Sequence, residues 1–264
     1  MLPMRAIWSG AINFGLINIP VKLYSGAEER ELKLRLLHKT DNSPIRYARI
    51  CRHDGKEIPY TDIVKGYEYQ KGDYIVLSDK DFARAEASVH RSHTIDIIEF
   101  TDEKDIDVRY YQKPYYVEPE KNAVKAYVLL RKALEQSDKV AIAKVVLRNK
   151  EHLAALKPVG SLLVLDLMRF ESEIHPVKEI KIPNVPVSKK EIIMALALIN
   201  QLTESFDPKE FHDSYTQKLE KVIKNKAKGI EHTAPTAKKS SEVPVKDLLA
   251  TLKKSLEMNK NKHH

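Results

Sequence analysis

The chain has 264 residues and a mass of 30.3 kDa, enough for one sizeable core with an appendage. It is 42% hydrophobic and 31% charged, a globular composition, and its net charge of +8 makes nucleic acid the first candidate among acidic partners. A single cysteine, Cys51, excludes an intrachain disulfide and a four-cysteine metal site, and fits a reducing cytosol.

Trp8 to Tyr24 (WSGAINFGLINIPVKLY) carries apolar residues first at even positions, Trp8, Ile12 and Phe14, then at odd ones, Ile17, Ile19, Val21 and Leu23. Period-two alternation marks strands, and a change of phase at a glycine marks a turn or bulge. Two strands are therefore predicted to meet near Gly15-Leu16, with Asn13 and Lys22 on the other face. Pro20 cannot donate a ladder hydrogen bond, which predicts an edge or a barrel corner.

Residues 28–60 are basic and irregular. Leu32, Leu34 and Leu36 alternate with Lys33 and Arg35, predicting a strand with one cationic face. Asp41-Asn42-Ser43-Pro44 is a turn cluster, and Asp54-Gly55 is a hairpin signal. The cations Lys33, Arg35, Arg46, Arg49, Arg52 and Lys56 read either as a solvated hairpin or as a surface that faces phosphates.

Residues 61–77 look extended, with a turn at Lys71-Gly72-Asp73, and Ser78 with Asp81 starts a helix to about Ala87. Strands are predicted at 94–100, 108–117, 140–147 and 162–170, with an acidic turn at 102–107. Helices are predicted at 121–134, from the stripe Val124, Tyr127, Val128, Leu130 and Leu134, and at 149–156. The order is mainly β with interspersed α, predicting a barrel-like antiparallel sheet.

After Pro183–Pro186 the pattern turns helical. Ser188 with Glu191 forms a capping box, and Ile192, Leu196, Ile199, Leu202 and Phe206 recur at helical spacing. Asp207-Pro208 is read as the start of a second helix, with Phe211, Tyr215, Leu219, Val222 and Ile223 on one side. Both stripes need cover, either from the chain's own barrel or from a partner subunit. Residues 229–241 are a linker. Residues 245–258 form a short amphipathic helix with Leu248, Leu249, Leu252 and Leu256 on one face, either a docking peptide or a helix resting on its own core. From Asp207 onward 13 lysines stand against 8 acids, so +5 of the total +8 lies there.

No phosphate-binding loop, HExxH motif or GxSxG elbow occurs, so no catalytic residues and no cofactor are assigned. Cys51 and His53 have nothing nearby to orient the imidazole. His90 and His93 lack companion carboxylates at ligand spacing, and the acids at 102–107 lack a calcium-loop pattern, so no metal is expected. Tyr110, Tyr111, Tyr115 and Tyr116 either pack or stack on bases, packing being favoured. Arg148 and Lys150 join the candidate phosphate contacts. No apolar run nears the roughly 18–20 residues that a membrane-spanning helix needs, and MLPMRAIW has no signal-peptide core.

The stretch MRAIWSGAINFGLINIPVKLYS resembles the opening of bacterial Ku proteins. The resemblance continues through IVKGYEYQKGDYIVLSDKDF, KAYVLLRKAL, VLRNKEHLAALKP, FDPKEFHDSYTQKLEKVIKNKAKG and VKDLLATLKKSL, so it covers nearly the whole chain. It implies a seven-stranded antiparallel β-barrel with inserted helices, followed by a helical arm that embraces a second copy. The implied division is a barrel and bridge core at 1–186, an arm at 187–229, a linker at 230–244, and a C-terminal helix and tail at 245–264. The resemblance further implies a non-enzymatic ring-shaped homodimer. That ring threads onto double-stranded DNA ends in non-homologous end joining, in a bacterial cytoplasm at the nucleoid. Arg5, Lys22, Lys33, Arg35, Arg46, Arg49, Arg52, Lys56, Arg148 and Lys150 are the expected DNA contacts. Ile192, Leu196, Ile199, Leu202, Phe206, Tyr215 and Leu219 are the expected dimer contacts. Leu248, Leu249, Leu252 and Leu256 would dock a multifunctional ATP-dependent DNA ligase.

Two departures from the family pattern stand out. Only Lys260 and Lys262 follow the last helix, where many relatives carry a lysine-rich tail, so no tail-driven DNA bridging is expected. Asp54 stands where some relatives have the second cysteine of a C-x-x-C, so no metal is carried over. A general nucleic-acid-coating protein without end specificity is the alternative.

Overall fold

The computed structural model describes residues 4–28, 32–89, 93–148, 150–229, 251–253 and 255. The chain forms two units, Met1–Val177 and Lys178–His264. In the first unit the elements are β1 (Trp8–Phe14), β2 (Ile17–Ser25), β3 (Lys65–Gln70), β4 (Asp73–Leu77), α1 (Asp79–Val89), β5 (Thr94–Thr101), β6 (Tyr111–Pro119), α2 (Val124–Ser137), β7 (Val140–Leu147), β8 (Lys150–Val159) and β9 (Leu162–Met168). The second unit contains α3 (Lys189–Leu202) and α4 (Ser214–Ala227).

Seven strands close into a barrel in the order β1-β2-β6-β9-β8-β7-β5, while β3 and β4 form a separate hairpin. Six seams are antiparallel. The seventh, β1 against β5, is parallel, with Ala11 opposite Thr94 and Asn13 opposite Asp96. This corrects the all-antiparallel expectation, and the reason is closure itself. Strands that alternate in direction around a ring return in phase only when their number is even, so seven leave one like-directed pair. One side-chain bond, from Asn13 to Asp96, crosses that short seam, and Thr94 on β5 braces the same carboxylate. Asn13 Nδ2 donates to the Asp96 carboxylate at 2.5 Å and Thr94 Oγ1 donates to it at 2.9 Å.

Ile12, Ile19, Val21 and Leu23 are fully buried inside the barrel with Ile95, Val117, Leu156, Leu163 and Leu165. Trp8 and Phe14 pack against that core. α2 lays Tyr127, Leu130 and Leu134 onto it at the end where β6 leaves and β7 enters. Pro20 is on no edge, because β2 is paired on both sides. It lies where the β2–β6 ladder ends, beside the Val21–Pro119 pair, and its carbonyl accepts from the Glu120 N–H.

A second cluster sits on the outer face. Val140, Ile142, Ala155 and Met168 are covered by Ile106, Tyr110 and Tyr111 from the 102–111 segment. This explains why residues 149–156, expected as a helix, form β8. Ala154 and Leu156 face the main core while Leu153 and Ala155 face the second cluster, so burial on both sides erases the alternation.

Other boundaries shift for local reasons. Val108–Tyr110 is a 3-10 turn before β6, and Asp107 caps it by accepting from the Arg109 N–H. Pro208–Glu210 is likewise a 3-10 turn, not the start of a helix. α4 begins at Ser214, where the Asp213 carboxylate accepts from the Tyr215 and Thr216 N–H groups. Leu32 to Leu36 form no strand.

The α3 capping box forms as read: Ser188 N–H donates to the Glu191 carboxylate at 2.7 Å and Glu191 N–H to Ser188 Oγ at 3.3 Å. Ile192, Leu196, Ile199, Leu202, Phe206 and Tyr215 are exposed in the single chain, and Leu219 is half-buried. Leu252 lies in a described helical turn. Leu248, Leu249, Leu256, the 230–244 linker, His90, Lys260 and Lys262 lie outside the described residues. Among the described residues no helix is long and apolar enough to cross a membrane.

Candidate nucleic-acid interface

The chain leaves β2 at Gly26, whose N–H donates to the Pro114 carbonyl at 2.9 Å. A Cβ there would stand 3.0 Å from that carbonyl oxygen, which favours glycine at the exit. Residues 32–60 then form two irregular hairpins with single bridges, Leu37–Pro44 and Ile50–Glu57. Turn residues do the work of a ladder. In the first, Asn42 takes a left-handed backbone (φ 57°) and donates to the His38 carbonyl at 2.9 Å. Asp41 accepts from the Ser43 N–H and hydroxyl at 3.0 and 2.8 Å. Those bonds hold its carboxyl below the usual carboxylate range.

In the second hairpin Gly55 (φ 71°) donates to the Cys51 carbonyl at 3.0 Å, and Cys51 N–H donates to the Lys56 carbonyl at 2.9 Å. Ile58 N–H closes the base on the Arg49 carbonyl at 2.8 Å. Almost every side chain of the segment is exposed, so its shape comes from turns and not from a core.

This scaffold gathers six of the expected cations. Arg49 places its guanidinium 5.0 Å from the Tyr60 ring centroid. Arg46 pairs with Glu57 at 3.7 Å and Lys56 with Asp54 at 3.4 Å. Such exposed pairs are weak, at most about 1 kcal/mol, and yield readily to a phosphate. Lys33, Arg35 and Arg52 have no carboxylate within ion-pair distance among the described residues.

The other four stand apart. Arg148 occupies the β7–β8 turn with a left-handed backbone (φ 51°). Lys150 pairs with Glu173 at 2.8 Å, and that bond lowers the Glu173 carboxyl. Arg5 lines a cleft with Ser25, Lys113 and Tyr116. Lys22 stands opposite Glu118 in the β2–β6 ladder, and the Glu118 carboxylate accepts from the Tyr24 hydroxyl.

Lys113, exposed beside Arg5 and 5.8 Å from the Tyr115 ring centroid, was not among the expected contacts. Its signal was there to see, a lysine inside the tyrosine-rich strand. Three of those tyrosines pack, Tyr115 in the main core and Tyr110 and Tyr111 in the outer cluster, while Tyr116 lines the cleft beside Lys113.

The acidic 102–107 turn is a latch. Asp102 takes Lys139 at 2.7 Å, and Glu103 takes Lys157 at 2.7 Å. Lys157 also reaches Asp166 at 3.2 Å and stands 5.1 Å from the Tyr111 ring centroid. Burial pulls the Lys157 ammonium down, but its bonds to Glu103 and Asp166 outweigh this and raise it.

Comparison with known proteins agrees with this architecture. Residues 13–194 match the family model of the Ku70/Ku80 beta-barrel domain. A non-homologous end joining protein Ku from Opitutus terrae is 43% identical over 256 residues, covering 96% of this chain and 91% of that one. The Bacillus subtilis protein of the same name is 36% identical over 260 residues, covering 97% and 83%. That from Desulfitobacterium hafniense is 39% identical over 260 residues, covering 98% and 90%. A closed seven-stranded barrel, the family-model match over residues 13–194, and relatives 36–43% identical over 83–91% of their own length place this chain in the Ku family.

Proposed function

We propose that this protein binds the ends of double-stranded DNA without sequence preference, as a ring-shaped homodimer that threads onto the duplex in non-homologous end joining. The observation that carries the reading is the inserted segment at 32–60, seven lysines and arginines, six of them among the expected contacts, held by turns on an exposed strap of chain. Lysine and arginine without base-reading geometry give affinity through phosphates and leave sequence unread. The relatives' printed name, non-homologous end joining protein Ku, supports the biological setting.

The exposed stripes of α3 and α4 supply the dimer surface in this reading, since apolar faces of that size need cover. The role is that of a scaffold and not a catalyst, acting at the bacterial nucleoid. The C-terminal segment, with Leu248, Leu249, Leu252 and Leu256, recruits a multifunctional ATP-dependent DNA ligase. Removing residues 233–264 is then expected to abolish ligase stimulation and to leave end binding largely intact.

Gel shifts on a linear plasmid and on its covalently closed form test the central idea. The linear form is expected to bind and the closed form to resist loading. Equal affinity for both would sink threading and favour a general nucleic-acid-coating protein.

A further inference from the structure

The two ends of the barrel differ. α2 covers one. At the other, where β1 begins and β7 turns into β8, a cavity of about 340 Å³ opens. Trp8, Leu147 and Leu167 give it an apolar wall, and Arg148, Lys150 and His152 bring polar groups to it. The indole of Trp8 is held there by Gly10. Ring atoms of Trp8 stand 2.3 and 2.5 Å from where a Cβ on Gly10 would be, so the ring folds back over β1 and half-buries itself at the mouth.

The polar groups differ in how free they are. Lys150 is shared with Glu173. Arg148 has no carboxylate within ion-pair distance among the described residues and is exposed on the turn. His152 lies on the same face of β8 as the inward-facing Ala154 and Leu156, and its ring makes no hydrogen bond to a described group. Burial, helped by nearby Lys150, lowers its pKa and keeps the imidazole neutral near pH 7, able to donate from one ring nitrogen.

We propose that this mouth is a binding site for a small organic phosphate, with a ring-sized apolar body against Trp8, Leu147 and Leu167 and the phosphate on Arg148, Lys150 and His152. The volume lies at the small end of ligand sites, which begin at about 300 Å³. An arginine fork with a second cation suits a phosphate, while the apolar wall rejects a fully hydrated ion. Arg148 and Lys150 are also among the residues expected to contact DNA, and the test, which contains no DNA, reads the small-molecule site by itself.

Trp8 is the only tryptophan in the chain, so its fluorescence reports on the site directly. The full chain titrated with phenyl phosphate is expected to give a saturable change in emission. Inorganic phosphate alone and phenol alone should need concentrations at least about tenfold higher, since each supplies half of the contacts. Arg148→Asn keeps a residue that tolerates the left-handed turn and is expected to weaken phenyl phosphate about tenfold or more, while Arg148→Lys retains part of the affinity. No saturable response, or inorganic phosphate or phenol binding as tightly as phenyl phosphate, would overturn the site. Unchanged affinity in a folded Arg148→Asn protein would overturn the assignment as well. Should that variant misfold, the comparison of the three ligands on the unaltered chain decides alone.

Discussion

The hydroxyl of Tyr127 on α2 accepts a hydrogen bond from the Leu163 N–H at 2.6 Å and donates to the Val117 carbonyl at 2.7 Å. Val117 and Leu163 are the last pair of the β6–β9 ladder, so one buried hydroxyl joins the helix to both strands at the barrel's covered end. Burial raises its pKa, as expected of a phenol kept neutral inside a core. Tyr127→Phe strands a buried donor and a buried acceptor, at a cost of about 1–3 kcal/mol. Urea unfolding should show this as a lower midpoint with an unchanged slope.

Gly10 allows the closest approach in the barrel wall. A Cβ would lie 2.1 Å from the His93 carbonyl oxygen and 2.3 Å from the Trp8 ring. Neither neighbour is a flexible side-chain tip, so Gly10→Ala should destabilise the barrel by about 1–3 kcal/mol. The thermal midpoint is expected to fall, and Trp8 emission to shift red as the indole is pushed toward solvent. An unchanged midpoint would mean that the seam yields without cost.

Acid should loosen the capped turn that leads into β6, where Asp107 holds Arg109. The hydrogen bonds and charge of Arg109 pull the Asp107 carboxyl down from 3.8 to about 2. A depressed folded-state pKa gives stability that is present above the unfolded value and is lost as pH falls through the folded one. Asp107→Asn lacks that contribution at every pH. The gap between the melting temperatures of the two proteins should therefore be largest above pH 3.8 and shrink toward pH 2. A gap constant with pH would exclude ionic linkage.

Arg49 in the strap is braced by the Tyr60 ring. If it touches a phosphate, Arg49→Gln should reduce the magnitude of the slope of log affinity against log salt by about 0.9, equally for all sequences. A sequence-dependent loss would point to base reading instead.

The apolar stripe of α3 is fully available in the single chain, with Leu196 at 51% and Ile199 at 59% exposure. Leu196→Asp with Ile199→Asp places two charges where a dimer interface would be dry. Sedimentation should report a monomer with native circular dichroism. A dimer that survives both charges would move the interface elsewhere.

Local features of the molecule were readable in the chain. The β1–β2 hairpin follows from its change of phase at Gly15, α2 from its apolar stripe, and the start of α3 from Ser188 and Glu191. The candidate site was readable as a density of cations in 28–60, because charge density is a property of composition. Which of those cations share a surface was not. Lys22, Arg148 and Lys150 are basic residues like Arg49, yet they sit on the barrel, Lys22 opposite Glu118 and Lys150 paired with Glu173.

The sequence by itself determined the β1–β2 hairpin, α2 and the capped start of α3, because period, caps and turn residues act over a few positions. It also determined the exposed, turn-built character of 32–60 through its polar and Asp-Asn-Gly punctuation. Only the tertiary structure decided that β1 meets β5 in parallel, that β8 is buried on both faces, and that Glu103 and Asp102 are latches. Those outcomes depend on partners distant along the chain. Closure of an odd ring forces one parallel seam, and a covered outer face removes the alternation that would have announced a strand.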